Sequence, residues 1–163
     1  MKLVSIKDAR NKFSLKAFDC GNRDLNIFLY NFAYANDRNG IGKTYVLVNK
    51  NTICGFFTLA SSQIKRATLI GESDTKLPRY PIPAIRLARL AVDKRWQKRG
   101  LGAYLLKEAL IKIINASNVV GIYLIVVEPK SDAIGFYEKY GFKHLDDKTY
   151  YLTLKTVKAA INI

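Results

Sequence analysis

The most informative stretch of this chain is Leu90-Ala91-Val92-Asp93-Lys94-Arg95-Trp96-Gln97-Lys98-Arg99-Gly100-Leu101-Gly102. Here an apolar strand end is followed by a basic loop and by the glycine-bearing start of a helix. Free N–H groups at a helix N-terminus point outward and carry partial positive charge. Gly100 and Gly102 let a phosphate approach those groups, and Lys98 and Arg99 add charge at the edge. The stretch therefore predicts an anion site at a strand–loop–helix junction.

The glycine spacing excludes two common phosphate-binding motifs. A dinucleotide fingerprint needs a third glycine and an acidic residue about 20 residues further on, and neither stands at the required place. A P-loop needs Gly-Lys-Ser or Gly-Lys-Thr, which this stretch does not contain. One alternative stays open at this point, namely a helix start that is softened by glycine and binds nothing.

The charge of the chain points to an anionic partner. It has 27 Lys and Arg residues against 13 Asp and Glu residues, which gives a net charge of +14. A small soluble domain is usually best served by a net charge of about 2–8. Since self-repulsion opposes folding, a polyanion such as nucleic acid is favoured as a partner. A generally basic proteome, or a site for one phosphorylated cofactor, is the alternative explanation.

Length and residue types limit the remaining classes. With 163 residues, the chain is predicted to form a single domain over residues 1–163. Its apolar runs are too short to cross a bilayer and it begins without an apolar signal region, so we expect a cytoplasmic protein without membrane contact. Cys20 and Cys54 form no CxxC pair, and with one histidine they predict reduced thiols and no metal site.

Periodicity predicts a mixed α/β domain, with a sheet and one right-handed parallel β-α-β crossover. The predicted elements, in chain order, are a helix from an Asn22 N-cap to about Asn36, a hairpin of strands 44–48 and 53–61, a proline-rich loop over 70–83, a strand over 84–93, a helix over 101–115, a buried strand over 122–127, a short helix capped by Ser131 and ended by Gly141, and a final antiparallel pair over 142–144 and 150–154.

Two motifs in this order resemble a known enzyme family. Gln97-Lys98-Arg99-Gly100-Leu101-Gly102 resembles the Q/R-x-x-G-x-G/A pyrophosphate loop of the GCN5-related N-acetyltransferases, the GNAT family. Phe136-Tyr137-Glu138-Lys139-Tyr140-Gly141-Phe142 resembles the FY-x-x-x-GF segment that follows the next strand in those enzymes. The likeness covers roughly residues 43–155. It implies the GNAT fold, with a central, mostly antiparallel sheet, one parallel β-α-β crossover and splayed strands.

The resemblance also implies acetyl-CoA as cosubstrate and gives each motif a role. A thioester lies between the splayed strands, and the backbone N–H near Val92 polarises its carbonyl. Tyr137 then acts as the catalytic acid that protonates the departing thiolate. Tyr140, one helical turn on, is the alternative acid, and a purely packing role is the alternative for Tyr137. The implied acetyl-CoA contacts are Leu90, Ala91, Val92, Gln97, Lys98, Arg99, Gly100, Leu101, Gly102 and Phe136.

A second resemblance extends over nearly the whole chain. Phe18-Asp19-Cys20-Gly21-Asn22, Leu77-Pro78-Arg79-Tyr80-Pro81-Ile82-Pro83 and Arg89-Leu90-Ala91-Val92 are similar to acetyltransferase toxins of bacterial toxin–antitoxin pairs. Those toxins acetylate the α-amine of aminoacyl-tRNA and block translation. The resemblance implies aminoacyl-tRNA as substrate, a ribbon–helix–helix antitoxin as partner, and a homodimer. The candidate tRNA contacts are the basic residues Arg79, Arg86, Arg89, Lys94 and Arg95.

The absence of an obvious general base agrees with an α-amine as nucleophile. A free α-amine has a pKa of about 7.7–8.0, whereas a lysine side chain has one of about 10.4. The α-amine therefore needs little more than water to accept its proton. Two alternatives stay open: a GNAT enzyme that acts on a small amine or a protein N-terminus, and a binding module that has kept the fold and lost the chemistry.

Overall fold

The computed structural model describes residues 1–69, 77 and 80–161, and within these ranges the chain forms seven strands and six α-helices. The strands are β1 (Lys2–Ser5), β2 (Lys43–Asn49), β3 (Thr52–Ile64), β4 (Ile82–Val92), β5 (Leu124–Val127), β6 (Lys143–Asp146) and β7 (Thr149–Thr153). The helices are α1 (Ile6–Ala9), α2 (Arg23–Ile27), α3 (Ala33–Arg38), α4 (Leu101–Ser117), α5 (Ile134–Lys139) and α6 (Leu154–Ile161). A π-helical turn (Phe28–Phe32) joins α2 to α3, and 3-10 turns cover Arg66–Leu69, Lys94–Trp96 and Ser131–Ala133.

The strands follow the order β1-β2-β3-β4-β5-β7-β6. β4 and β5 run parallel, with Ala84 opposite Leu124 and Arg86 opposite Val126. The pairs β1–β2, β2–β3, β5–β7 and β6–β7 are antiparallel. Because α4 lies between β4 and β5 in the chain, the prediction of a mixed sheet with a parallel β-α-β crossover is confirmed.

The chain forms two compact units. The first unit comprises Met1–Ala60 and Ala88–Ile111, and the second comprises Ser61–Leu87 and Lys112–Ile163. β3, β4 and α4 each contribute residues to both units. No helix in the described ranges is long and apolar enough to pass through a bilayer.

The first unit is built on the β2–β3 hairpin and the helices that precede it. Lys50, with a φ of 55°, makes the tight turn of the hairpin. Phe56 on β3 meets the ring of Phe18 edge to face at 5.5 Å and stacks on Phe28 at 6.2 Å. Asn22 accepts a hydrogen bond from the Leu25 amide at 3.1 Å, so the predicted N-cap of α2 is confirmed.

Gly55 marks a close approach within the first unit. A Cβ at this position would lie 2.7 Å from the Leu105 Cδ1 and 2.8 Å from the carbonyl oxygen of Ala91. A glycine in a strand interior often marks such a contact. The absent side chain therefore lets β3 lie against the backbone of β4 and the first turns of α4.

The second unit is built on β4, β5 and the β6–β7 hairpin. All four residues of β5 are buried, as the continuous apolar run predicted, although the strand begins two residues later than expected. α6 starts where the Leu154 amide donates to the carbonyl of Tyr123 at 2.9 Å. The core is formed by Leu69, Ile82, Ala84, Leu124, Val126 and Tyr151.

Two further predicted boundaries differ from the structure. The loop was expected to run through Pro83, but β4 begins at Ile82. Proline fits here because it contributes only its carbonyl, which accepts from the Tyr123 amide at 2.9 Å. Ser131 was expected to cap the short helix, but it is the first residue of a 3-10 turn whose N-cap is Lys130.

Three elements were not predicted at all. β1 and α1 have four residues each, which is too short for a repeated apolar pattern that would distinguish a strand or a helix from a loop. α6 follows β7 without an intervening residue. Its N-cap is Thr153, whose Oγ1 accepts from the Thr156 amide at 3.1 Å, but the predicted strand over 150–154 included this residue. Residues 159–161 of the C-terminal segment belong to this helix.

Candidate active site

The loop between β4 and α4 has two residues in the left-handed region of φ. Lys98 has a φ of 63° and Gly100 one of 81°. A Cβ added to Gly100 would meet no heavy atom within 4 Å. Conformation rather than crowding therefore favours glycine at this position, and the space beside its Cα is open to a ligand.

α4 starts directly after this glycine. The Tyr104 amide donates to the carbonyl of Gly100 at 3.1 Å, so the amides of the first turn have no acceptor within the helix. The helix is 17 residues long, and its N-terminus carries partial positive charge next to the exposed side chains of Lys98 and Arg99. Leu101 is buried and Gly102 is half-buried. Backbone and charge together form a site suited to an anion.

Gln97 uses its side chain within the protein. Its Nε2 donates to the carbonyl oxygen of Val92 at 2.8 Å and to that of Cys20 at 3.0 Å. The first residue of the predicted pyrophosphate loop therefore ties that loop to the end of β4 and to the segment before α2.

Asp93 anchors the other end of the loop. This residue is only 1% exposed. Oδ1 accepts from the Arg95 amide at 2.9 Å and from Arg95 Nε at 3.0 Å, and Oδ2 accepts from Arg95 Nη2 at 3.1 Å. Burial acts to raise the pKa of Asp93, but the bonds from Arg95 outweigh it and hold the pKa below its usual value. No role was predicted for Asp93, although it is the one acidic residue in the otherwise basic loop at positions 93–99.

Lys94, like Arg95, forms an ion pair with an aspartate. Its Nζ lies 3.3 Å from Asp19 Oδ2, and both side chains are more than half exposed. Hydrogen bonds from the Gly21 amide, Asn26 and Lys94 keep the pKa of Asp19 low. Two of the predicted tRNA contacts, Lys94 and Arg95, are thus already paired with carboxylates of the first unit.

The other predicted tRNA contacts lie along or before β4. The Arg89 guanidinium carbon lies 3.6 Å above the centre of the Phe28 ring, which orients that side chain within the first unit. Arg86 is exposed on β4 in the second unit. Arg79 lies outside the described residues. Of the predicted thioester contacts, Ala91 is buried, whereas Leu90 and Val92 are half-buried.

Tyr137 is held by the end of α5. The Phe142 amide donates to the Tyr137 carbonyl at 3.2 Å, and the Gly141 amide donates to the Glu138 carbonyl at 3.0 Å. With Gly141 at a φ of 92°, this pair of bonds is a Schellman motif, so the helix-ending role predicted for Gly141 is confirmed.

The phenol of Tyr137 is protonated at neutral pH. The residue is 6% exposed, and burial raises its pKa to about 12. The side chain can therefore donate a proton but cannot serve as a base near pH 7. Its ring contacts Phe136 at 5.1 Å, and Phe136 in turn contacts the ring of Tyr140, which is 40% exposed.

Both cysteines are free thiols. Burial raises the pKa of Cys20 and of Cys54, which makes them poor nucleophiles near neutral pH. Within the described part of the chain, no three His, Cys, Asp or Glu side chains are grouped so that they could hold a metal ion.

Comparison with known proteins gives a consistent result. The model of a family described as an acetyltransferase (GNAT) domain matches residues 40–144. A tRNA-acetylating toxin of Mycobacterium tuberculosis is 34% identical over 128 residues, which are 78% of this chain and 76% of that protein.

Two solved structures are similar to this chain over almost its full length. The crystal structure of a tyrosine-to-phenylalanine mutant of KacT has a TM-score of 0.89 and 30% identity, covering 98% of both chains. AtaT complexed with acetyl-methionyl-tRNAfMet has a TM-score of 0.88 and 29% identity, again covering 98% of both chains. The matched family model, the relative and the shared fold together establish that this chain belongs to the GNAT family of acetyltransferases.

Proposed function

We propose that this acetyltransferase transfers the acetyl group of acetyl-CoA to the α-amine of an aminoacyl-tRNA and thereby blocks translation, as the toxin of a toxin–antitoxin pair. The observation that carries the proposal is the left-handed loop at Lys98 and Gly100, which leads into the free amides of α4. That geometry suits the diphosphate of a coenzyme A thioester. The likeness to a tRNA-acetylating toxin and to AtaT bound to acetyl-methionyl-tRNAfMet supports the choice of acceptor.

The residues fit the cosubstrate in their chemistry. Backbone amides at residues 98–102, with Lys98 and Arg99 beside them, would bind the diphosphate, and the side chain of Gln97 would hold that loop in place. Residues 90–92 would face the pantetheine and the thioester, with the Val92 amide donating to the carbonyl oxygen. Phe136 would pack against the acyl end of the cosubstrate.

In the proposed reaction the neutral α-amine attacks the thioester carbonyl. A C–N bond forms, the C–S bond breaks, and the amine passes one proton to water. Tyr137 gives its phenolic proton to the sulfur and is then reprotonated from solvent, which its pKa of about 12 strongly favours. No general base is needed, because a large fraction of an α-amine is neutral near pH 8.

The tRNA backbone would be bound by cations on and around β4. Arg86 is exposed, and Arg89 is held in place by its contact with Phe28. The remaining candidates are Arg79, Lys94 and Arg95, although Arg95 already donates hydrogen bonds to Asp93. A net charge of +14 favours the approach of a polyanion at long range.

We also propose the partners and the setting of this activity. A structure of an AtaT mutant bound to acetyl-CoA and to the C-terminus of the antitoxin AtaR, with a TM-score of 0.85 and 28% identity, supports a cognate antitoxin for this chain. We propose a ribbon–helix–helix protein in that role, a homodimeric toxin, one catalytic domain over residues 1–163, and action in the cytoplasm, where charged tRNA is available.

One experiment tests the central claim. The protein is incubated with labelled acetyl-CoA and total charged tRNA, and the labelled aminoacyl group is identified. Deacylated tRNA is the matched control, because it offers the same phosphates without the α-amine. We expect label on charged tRNA only. If the label appeared only on small amines or protein N-termini supplied in parallel reactions, the substrate would be one of those amines and not aminoacyl-tRNA. If no amine were acetylated, the protein would be a binding module without acetyltransferase activity.

A further inference from the structure

Two distant stretches of the first unit are joined at the base of the predicted pyrophosphate loop. The Asp19 amide donates to Asp93 Oδ2 at 3.1 Å, and the Lys94 amide donates to the Asp19 carbonyl at 2.8 Å. Gln97 Nε2 donates to the Cys20 carbonyl at 3.0 Å. An ion pair between Lys94 Nζ and Asp19 Oδ2, at 3.3 Å, joins the same two stretches. The segment before α2 therefore forms one wall of the loop.

Two further hydrogen bonds attach the loop to the neighbouring strands. Asp93 donates its own amide to the Cys54 carbonyl at 2.8 Å, which fixes the loop to β3. Gln97 also donates to the Val92 carbonyl at 2.8 Å, so a single amide nitrogen binds the strand end and the segment together. A buried carboxylate is costly unless it is hydrogen-bonded. Breaking one of the bonds to Asp93 therefore leaves its charge poorly satisfied, which favours keeping all of them.

The loop needs this support because its conformation is unfavourable. A non-glycine residue with positive φ, such as Lys98 at 63°, is uncommon and persists where its surroundings hold it. Ordering a free loop residue costs about 1–2 kcal/mol in backbone entropy. A loop that is already ordered avoids that cost when a ligand binds.

We propose that Asp93 and Gln97 are positioning residues for acetyl-CoA. Neither side chain contacts the cosubstrate; together they hold the loop at Lys98 and Gly100 in the conformation that presents its amides to the diphosphate. This inference rests on the proposed function and adds to it, because it assigns both residues a task in cosubstrate affinity rather than in the chemical step. The segment from Asp19 to Cys20 becomes part of the cosubstrate site through these bonds.

The sharpest variant is Gln97→Met, which keeps the shape of an exposed side chain and removes only its donor. We expect the Kd for acetyl-CoA, measured by calorimetry, to rise about tenfold, as two lost hydrogen bonds imply. The KM for acetyl-CoA should rise with it, and kcat should change by less than about twofold. Asp93→Asn should weaken binding at least as much as Gln97→Met.

Asp37→Asn is the matched control. Asp37 accepts from the Thr44 amide at 3.3 Å and from Lys43 Nζ at 3.1 Å in the same unit, so each aspartate accepts from a backbone amide and from a cation. We expect this variant to bind acetyl-CoA as tightly as the wild type. If both aspartate variants weakened binding equally, a general loss of stability would account for the effect, and the inference would be overturned.

Hydrogen exchange gives a second readout. In the wild type, acetyl-CoA should slow exchange at the amides of Asp19 and Lys94, and in Gln97→Met this protection should be reduced. Equal affinity and equal protection in the two proteins would overturn the positioning role while leaving the proposed function intact. A wild-type protein that does not bind acetyl-CoA at all would instead overturn the proposed function.

Discussion

The amide nitrogen of Phe142 donates to the carbonyl oxygen of Tyr137 at 3.2 Å, and the rings of the same two residues meet edge to face at 5.4 Å. A Schellman motif is often accompanied by such an apolar contact between its outer residues. The final Gly-Phe of the FY-x-x-x-GF segment therefore contacts both the backbone and the ring of Tyr137, the second residue of the segment.

Gly141→Ala should destabilise the protein by about 1–2 kcal/mol, the cost of a left-handed conformation for an L-residue with a side chain. Its φ is 92°, and the nearest atom to an added Cβ, Leu152 Cδ2, is at an ordinary contact distance of 3.6 Å. Urea unfolding measures the change. Gly135→Ala, inside α5 with open space around its Cβ, is the control and should be neutral or stabilising.

Tyr137→Phe should lower kcat by about a hundredfold or more, within the range that a positioned general acid contributes. The Kd for acetyl-CoA should stay unchanged, because the hydroxyl is not among the groups assigned to the diphosphate. Single-turnover transfer to charged tRNA is the measurement. Tyr140→Phe is the matched control, and a larger loss in that variant would transfer the acid role to Tyr140.

The pKa of Tyr137 should appear in the pH dependence of stability. The folded pKa is about 12 against an ordinary value of 10, so the unfolded state loses the proton first as pH rises. The associated stability is complete below pH 10 and is lost between about pH 10 and 12, to a limit of about 3 kcal/mol. Urea unfolding of the wild type and Tyr137→Phe at pH 9 and pH 11 should show the difference, and parallel curves would contradict it.

Gly55→Ala should destabilise the first unit by about 1–3 kcal/mol through overpacking. The added Cβ would lie 2.8 Å from the Ala91 carbonyl oxygen, and a backbone atom in a strand cannot easily move aside. Gly121→Ala, where the Cβ meets nothing within 4 Å, serves as control. Thermal unfolding of the two variants measures the contrast, and equal melting temperatures would argue against the close approach.

Arg86→Gln and Arg89→Gln should each weaken the binding of charged tRNA and lower the slope of log K against log salt by about 1. Filter binding at several salt concentrations measures both quantities. Lys7→Gln, an exposed residue on α1, is a control of equal charge change. If that control lowered the slope as much as the β4 variants, net charge rather than these positions would account for the binding.

Much of the fold was predictable because it depends on neighbours in the chain. The apolar period of residues 101–115 predicted α4, and Leu105, Leu106 and Ala109 on that helix are all buried. Asn22 and Gly141 were recognised at helix ends because capping acts over three or four residues. The short elements β1 and α1 were not predicted, because four residues are too few to show a repeated apolar pattern.

The family, the order of the main elements and the loop that suits a diphosphate could be recognised before folding is considered, because they depend on local backbone preference and on short motifs. How that loop is held depends on tertiary contacts. Asp93 and Gln97 reach partners 74 and 77 residues away, and no local pattern encodes such a pairing. Long-range hydrogen bonds form only where packing has already brought the backbone groups together, so their partners can be read from the folded chain alone.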